Sequence, residues 1–248
     1  MKTDGLARPD KLGVLGGMGP LATVDFLRKL VQLTPAATDQ EHLPVVVSSE
    51  PQVPPRTPAL IDGAGPSPLP ALLARRDFLV RAGARAIAMP CNTAHYWYKE
   101  LTAGLDIPFL HIVEAAIEAL VKRGLEGRAI GVIGTRATLE GRLYQDPLAA
   151  RGFRCILPDA AVNADLVFPA IALVKEFKLA EAGSMFRRAI ESLLGKGASV
   201  VVLACTEVPA GLDLADPWTA EHCVDATEAL ARACVEWALA ERKRAGLA

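Results

Sequence analysis

The 248-residue sequence has no CxxC pair, no apolar run long enough to span a bilayer and no excess charge of either sign. Its five cysteines, at 91, 155, 205, 223 and 234, are odd in number and widely spaced, which argues against a disulfide framework and a structural zinc site. With 27 Lys and Arg against 28 Asp and Glu, the net charge is −1, so no broad field draws the chain to nucleic acid or an anionic membrane. A membrane helix needs roughly 20 consecutive apolar residues, and the longest runs fall short of that. The opening Met1-Lys2-Thr3-Asp4-Gly5 lacks the apolar core of a signal peptide. A protein of the reducing cytoplasm, without nucleic-acid or membrane partners, is expected.

What is present is an ordinary enzyme composition, 51% hydrophobic and 22% charged, in a chain long enough for one α/β domain or two small ones. Residues 1 to 10 are polar and read as frayed. Leu12-Gly13-Val14-Leu15-Gly16 reads as a buried strand, followed by the turn Gly17-Met18-Gly19-Pro20 and a helix to Leu33 with Val24, Leu27, Leu30 and Val31 as its apolar positions. The glycines do not fall in the G-x-G-x-x-G register, so a turn whose amides hold a small anion is a better reading than a dinucleotide site. A strand at 43–49 runs into a long Pro- and Gly-rich loop in which Arg56 lies between prolines. The run Ala86-Ile87-Ala88-Met89 then stops at Pro90-Cys91-Asn92-Thr93-Ala94-His95. A final helix is expected from about Thr219 to Lys243.

The chain then repeats itself. Leu12-Gly13-Val14-Leu15-Gly16 recurs 118 residues on as Ile130-Gly131-Val132-Ile133-Gly134, and the segment from Gly83-Ala84 to Pro90-Cys91 recurs 114 residues on as Gly197-Ala198 to Ala204-Cys205. Two matches at nearly one offset indicate an internal duplication. Alternating strands and helices predict parallel sheets, and ligands in such sheets bind beyond the strands' carboxyl ends. The expected fold is α/β, with two pseudo-twofold-related parallel-sheet domains and the active site in the cleft between them. Residues 1–112 with 214–248 form the expected first domain, the last helix packing back on it, and residues 113–213 form the second.

A lone strand-end cysteine is as compatible with packing as with chemistry. A duplicated one places Cys91 and Cys205 on opposite sides of one cleft. Two weak acids flanking a small substrate suit removal of a proton from one face of a carbon and return to the other, which is racemisation or epimerisation. Each thiol then serves as base in one direction and acid in the other, with its pKa lowered for the basic role. His95 and Glu207 stand close in sequence as modulators of proton transfer, and His95 reads equally as a packing or capping residue. Asn92, Thr93, Thr135 and Thr206 supply donors at the strand ends.

At Gly16-Gly17-Met18-Gly19-Pro20, the Pro51-to-Thr57 loop, Ser67-Pro68-Leu69-Pro70, Pro90-Cys91-Asn92-Thr93-Ala94-His95 and Ala204-Cys205-Thr206-Glu207, the sequence resembles the aspartate/glutamate racemase superfamily, in its aspartate and broad-specificity racemase branch. The resemblance implies a racemase with no cofactor and no metal, acting on aspartate or a similar small acidic amino acid, and a homodimer. It implies Cys91 and Cys205 as the acid/base pair, Met18, Gln52, Asn92, Thr93, Thr135 and Thr206 as substrate contacts, and Arg56 and Lys175 as the groups meeting carboxylates. The turn here is Gly-Gly-Met-Gly-Pro and the second motif Cys-Thr-Glu, where cell-wall glutamate racemases carry Asp-Ser-Gly and Cys-Thr-His. Pro55 stands where the family usually has an acidic residue. Alternative readings are a hydantoin- or maleate-type superfamily enzyme, a decarboxylase, or a non-catalytic acidic amino-acid binder; a redox dithiol is disfavoured by the missing CxxC.

Overall fold

The computed structural model describes residues 8–63, 65–212 and 214–247. Most of the expected frayed start, residues 1–7, lies outside them. The first half runs β1 (Leu12–Gly16), α1 (Pro20–Leu33), β2 (Val45–Ser49), α2 (Leu69–Arg81), β3 (Ala86–Ala88), α3 (Tyr98–Thr102), β4 (Phe109–Leu110) and α4 (Ile112–Lys122). The second runs β5 (Ala129–Gly134), α5 (Arg136–Glu140), α6 (Gln145–Ala150), β6 (Arg154–Ile156), α7 (Ala160–Val162), α8 (Phe168–Lys175), α9 (Leu179–Gly195), β7 (Val200–Ala204), α10 (Glu207–Gly211), α11 (Pro217–His222), β8 (Cys223–Asp225) and α12 (Ala226–Arg244).

The strands form two four-stranded parallel sheets of the same order, β2-β1-β3-β4 and β6-β5-β7-β8. β1, β5 and β7 are buried at every residue, which is why they read as continuous apolar runs rather than alternating ones. The duplication persists in packing detail. A Cβ on Gly13 would lie 2.9 Å from Ala84 and 3.2 Å from Leu79, and one on Gly131 would lie 3.3 Å from Ala198 and 3.2 Å from Leu193. The same helix thus closes on the same strand glycine in both halves, and a side chain there would push helix from sheet.

Helices α1, α4 and α12 contribute to one hydrophobic core that also takes side chains from both sheets, including Leu12, Val14, Ile130 and Val202. Two further cores lie under α2 in the first half and under α8 and α9 in the second. In α1 the buried stripe is Ala22, Phe26 and Leu30, whereas Val24 and Val31, expected inside, are 61% and 56% exposed. The helix is apolar on more than one side. Its orientation is fixed by Lys29, 4% exposed, which forms ion pairs with Asp25 of its own helix and, at 2.5 Å, with Asp225.

The C-terminal segment differs from expectation. The predicted single helix at 219–243 is divided into α11 and α12 by β8, which pairs with β7 (Val201 with Cys223, Val202 with Val224). Segment 217–225, assigned from sequence to the first domain, therefore supplies the edge strand of the second sheet. Cys223 and Val224 are buried there, and the Asp225 side chain accepts the Thr227 N–H at 2.8 Å, capping α12 as a new helix. After that cap α12 packs along α1.

Removing one member of a buried ion pair leaves charge stranded in a low-dielectric core. Lys29→Met is expected to lower unfolding stability by about 3–5 kcal/mol in urea titration; an unchanged midpoint would show that the contact does not tie α1 to the second sheet.

Candidate active site

Cys91 follows β3 and Cys205 follows β7 directly, so both sit beyond the carboxyl ends of equivalent strands. Both are buried, at 5% and 3% exposure, and both line one cavity of about 160 Å³. This is below the ~300–1,000 Å³ of sites that take drug-sized ligands, and it suits a small metabolite. Met18, Arg56, Asn92, Thr93, Thr135, Lys175 and Thr206 line the same cavity, so it gathers residues from both halves of the chain. A wider hollow of about 380 Å³ beside α4, β8 and α12 has no such convergence. Its cations are already engaged: Lys122 with Glu236, Arg232 with Glu228, and Arg123 with the carbonyls of Glu221 and Cys223.

Gln52 is not brought to the cavity. It is exposed in the turn after β2, and the neighbouring Val53 is the loop residue that turns inward. The Val53 and Pro54 carbonyls accept from Arg56 Nη1 at 3.3 and 3.2 Å, so the loop holds the guanidinium through its own backbone. Lys175 is the last residue of α8 and is exposed at the cavity's edge.

The glycine turn departs from the anion-cradle reading. The Gly17 N–H donates to Thr23 Oγ1 at 2.8 Å, and that hydroxyl donates to the Gly19 carbonyl at 3.1 Å, so this amide is already used. Gly17 has φ +90°, and a Cβ there would fall 2.2 Å from the Glu50 nitrogen. The turn thereby packs against the chain leaving β2 and delivers Met18 to the cavity.

The two thiols have different surroundings. Burial raises both above the usual thiol range, and for Cys91 the nearby Arg56 guanidinium and the Ala94 amide oppose that rise. Cys205 donates to Glu207 Oε2 at 3.0 Å, and the carboxylate adds to burial in holding it well up as a thiol; the charge of Cys91 pushes it in the same direction. Glu207 itself lines the cavity at 9% exposure.

His95 does not face the proton chemistry. Its Nε2 accepts the Ile112 N–H at 3.2 Å, so the proton is on Nδ1, which donates to the Cys91 carbonyl at 2.8 Å. The ring pins the cysteine loop to the start of α4. Burial first, and then His111, lower its pKa to about 3.

The halves also meet through hydroxyls. Thr93 Oγ1 lies 2.8 Å from Thr135 Oγ1 and 3.0 Å from Thr138 Oγ1, and Tyr144 donates to Asn92 Oδ1 at 2.5 Å. Thr138 and Tyr144 carry no motif in the sequence. They follow β5 in short helices and loops, and only the folded arrangement brings them to the cysteine loop.

Among the described residues no group of three or more His, Cys, Asp and Glu could hold a metal ion. No helix among them is long and apolar enough to cross a membrane.

The Asp/Glu/hydantoin racemase family matches residues 15–234. The chain belongs to that family. It is 29% identical over 220 residues to the broad-specificity amino-acid racemase RacX of Bacillus subtilis strain 168, covering 82% of this chain and 87% of that one. The Picrophilus torridus aspartate racemase structure superposes with TM-score 0.81 at 30% identity, over 92% of this chain and 94% of that one. The Campylobacter jejuni glutamate racemase shares the fold, with TM-score 0.61 at 20% identity over 94% of this chain and 85% of that one. The protein is accordingly a racemase of the kind that works without pyridoxal phosphate.

A histidine kept neutral by burial binds fewer protons when folded than when unfolded, between its folded and unfolded pKa values. His95 (about 3) and His111 (lowered by burial to about 4) therefore contribute stability that is complete above pH ~6.5 and is lost as pH falls through that window. In urea titrations from pH 7 to 4.5, His95→Gln is expected to flatten the pH slope by up to one proton. An imidazole of His95 that titrates near 6.5 by NMR would contradict the pinned, neutral ring.

Proposed function

We propose that this racemase interconverts the L and D enantiomers of aspartate, or a similarly small acidic amino acid, with Cys91 and Cys205 as the two bases. The observation that carries the reading is that two cysteines, from equivalent strands of a duplicated fold, line one small cavity.

The charges beside the thiols support an assignment of roles. Burial raises both thiols; Arg56 eases ionisation of Cys91 against burial and the Glu207 charge, and Glu207 adds to burial in holding the proton on Cys205. Once the Cys91 thiol has ionised, Cys91 removes the α-proton from one face, and Cys205 delivers its proton to the other. The enzyme is left with Cys91 protonated and Cys205 ionised, the state that serves the opposite enantiomer. A further proton exchange restores the starting state.

The α-proton of an amino acid is a very weak acid, and loss of it sends negative charge into the α-carboxylate. Donors placed where that charge develops stabilise the transition state more than the bound substrate. Asn92, Thr93, Thr135 and Thr206 supply such donors around the cavity. Arg56 and Lys175 add two cations, which suits a substrate with two carboxylates. Among the relatives, the Picrophilus protein is an aspartate racemase and the Bacillus protein has broad specificity, so aspartate is the first substrate to test. The cytoplasmic setting expected from cysteine usage and the homodimer implied by the family resemblance belong to this proposal, with light scattering as the check on assembly.

Incubation with single enantiomers in deuterated water is expected to give loss of optical rotation together with α-deuterium in the product. Cys91→Ala and Cys205→Ala should each lower racemisation at least ~10³-fold, within the range for loss of a general acid or base. Full activity in either variant refutes the two-base scheme. Tight calorimetric binding without exchange for any proteinogenic amino acid would make the protein a binder. Lys175→Met should raise KM for aspartate about tenfold or more and leave exchange of alanine nearly unchanged; equal effects on both would remove Lys175 from side-chain recognition.

A further inference from the structure

Tyr144 is the largest fully buried side chain among the described residues, at 0% exposure. It lies between α5 and α6 in the second half of the chain, yet its hydroxyl reaches Asn92 of the first half at 2.5 Å. Asn92 adjoins Cys91, is 2% exposed and lines the cavity. Its Nδ2 is buried and has no hydrogen-bond partner among the described residues.

An asparagine amide offers an acceptor at one end and two donors at the other, and its orientation follows from its neighbours. Among the described residues the Tyr144 hydroxyl has Asn92 Oδ1 as its one acceptor. If the amide turned over, the phenol would lose that acceptor and the two N–H groups would face the phenol oxygen. Burial, with the charges of Asp225 and Cys205, keeps the phenol proton in place well above its usual range, so the hydroxyl is a donor at any working pH. The oxygen end of Asn92 is therefore taken, and the N–H₂ end is the one left over in a site lined by both thiols.

We propose that Tyr144 is a positioning residue for the racemase site: by donating across the two halves to Asn92 Oδ1, it orients the Asn92 N–H₂ as a donor to the substrate α-carboxylate. This rests on the racemase reading above. The unmatched donor finds its partner when a carboxylate enters. That bond strengthens as charge moves into the carboxylate during proton removal, so the effect of Tyr144 falls on kcat more than on KM. Tyr144 touches neither substrate nor the reacting carbon; it acts through Asn92. It also couples the halves, because the orientation of a first-half donor depends on a second-half hydroxyl.

The test is a double-mutant cycle on kcat and KM for aspartate racemisation. Tyr144→Phe removes one oxygen atom, keeps the ring and is expected to lower kcat about tenfold or more, with a smaller change in KM. Asn92→Ala should lower kcat further, and adding Tyr144→Phe to it should change kcat by less than twofold. Asn92→Asp keeps the Tyr144 acceptor, removes the donor and should be as impaired as Asn92→Ala. Wild-type kcat in Tyr144→Phe, losses that multiply in the double variant, or an active Asn92→Asp would each overturn the proposal. A readout independent of activity is the Asn92 side-chain ¹⁵N–¹H₂ pair, identified by its absence in Asn92→Ala. It should shift and exchange faster with solvent in Tyr144→Phe, and an unchanged pair overturns the assignment. If wild-type protein racemises no amino acid, the functional reading fails while this resonance still judges the Tyr144–Asn92 contact.

Discussion

Two thiols can serve one carbon atom only if two separate sheets keep a fixed mutual position, and that depends on the helical layer they share. Helices α1, α4 and α12 pack into a core that takes side chains from both sheets, so the halves cannot part without exposing it. The layer also contains charge. Lys29 of α1 is buried against Asp225, which ends β8 and caps α12. An apolar pair would pack in many rotations about the helix axis. A buried ion pair has one arrangement that leaves no charge stranded, and so it selects the face α1 presents. That selection explains why Phe26 and Leu30 are inside while Val24 and Val31, equally apolar, are outside.

What was legible in the sequence follows from which features are local. The strands and their ends were readable because a strand buried on both faces must be continuously apolar, and the duplication displayed the pattern twice. The cavity-lining residues at 91–93 and 205–206 were readable for the same reason, since they adjoin those strands. Gln52 was misplaced because a proline-rich loop has no period from which to tell inward from outward; the backbone turned Val53 inside instead. The break in the last helix was marked only by the Asp225 cap, a short signal inside a helix-rich composition. Tyr144 and Thr138 were invisible because their partners are 52 and 45 residues away and belong to the other half.

The contacts across the cavity have a consequence for closure. Thr93, Thr135 and Thr138 satisfy one another, so these hydroxyls are arranged before any ligand arrives. Hydroxyls can each donate and accept, and a substrate carboxylate entering the group can be met by a redistribution of protons rather than by movement of the chain. Asn92 cannot adapt in that way, since an amide has fixed donor and acceptor ends. It is the rigid member of the set, and the one whose orientation must be supplied from outside.

The duplication also explains what the site could not obtain by symmetry. A repeated βαβ unit places Cys91 and Cys205 equivalently, but two equivalent thiols would hold the same protonation state, and a two-base reaction needs one of each. The difference must come from residues the repeat does not share. At equivalent places after the two cysteines stand Asn92 and Thr206, then Thr93 and Glu207. Glu207 accepts a hydrogen bond from the Cys205 thiol and raises its pKa. Arg56, from the loop after β2, opposes the rise that burial imposes on the Cys91 thiol. In the proposed scheme both act in the same direction, holding the proton on Cys205 and easing its loss from Cys91 against the rise that burial imposes. A cation beside each cysteine would favour two thiolates, and a carboxylate beside each would favour two thiols, neither of which can both remove and return a proton. In the proposed two-base scheme, symmetry of the backbone fixes where the two thiols stand, and divergence of the neighbouring charges favours Cys91 as the one that gives up its proton.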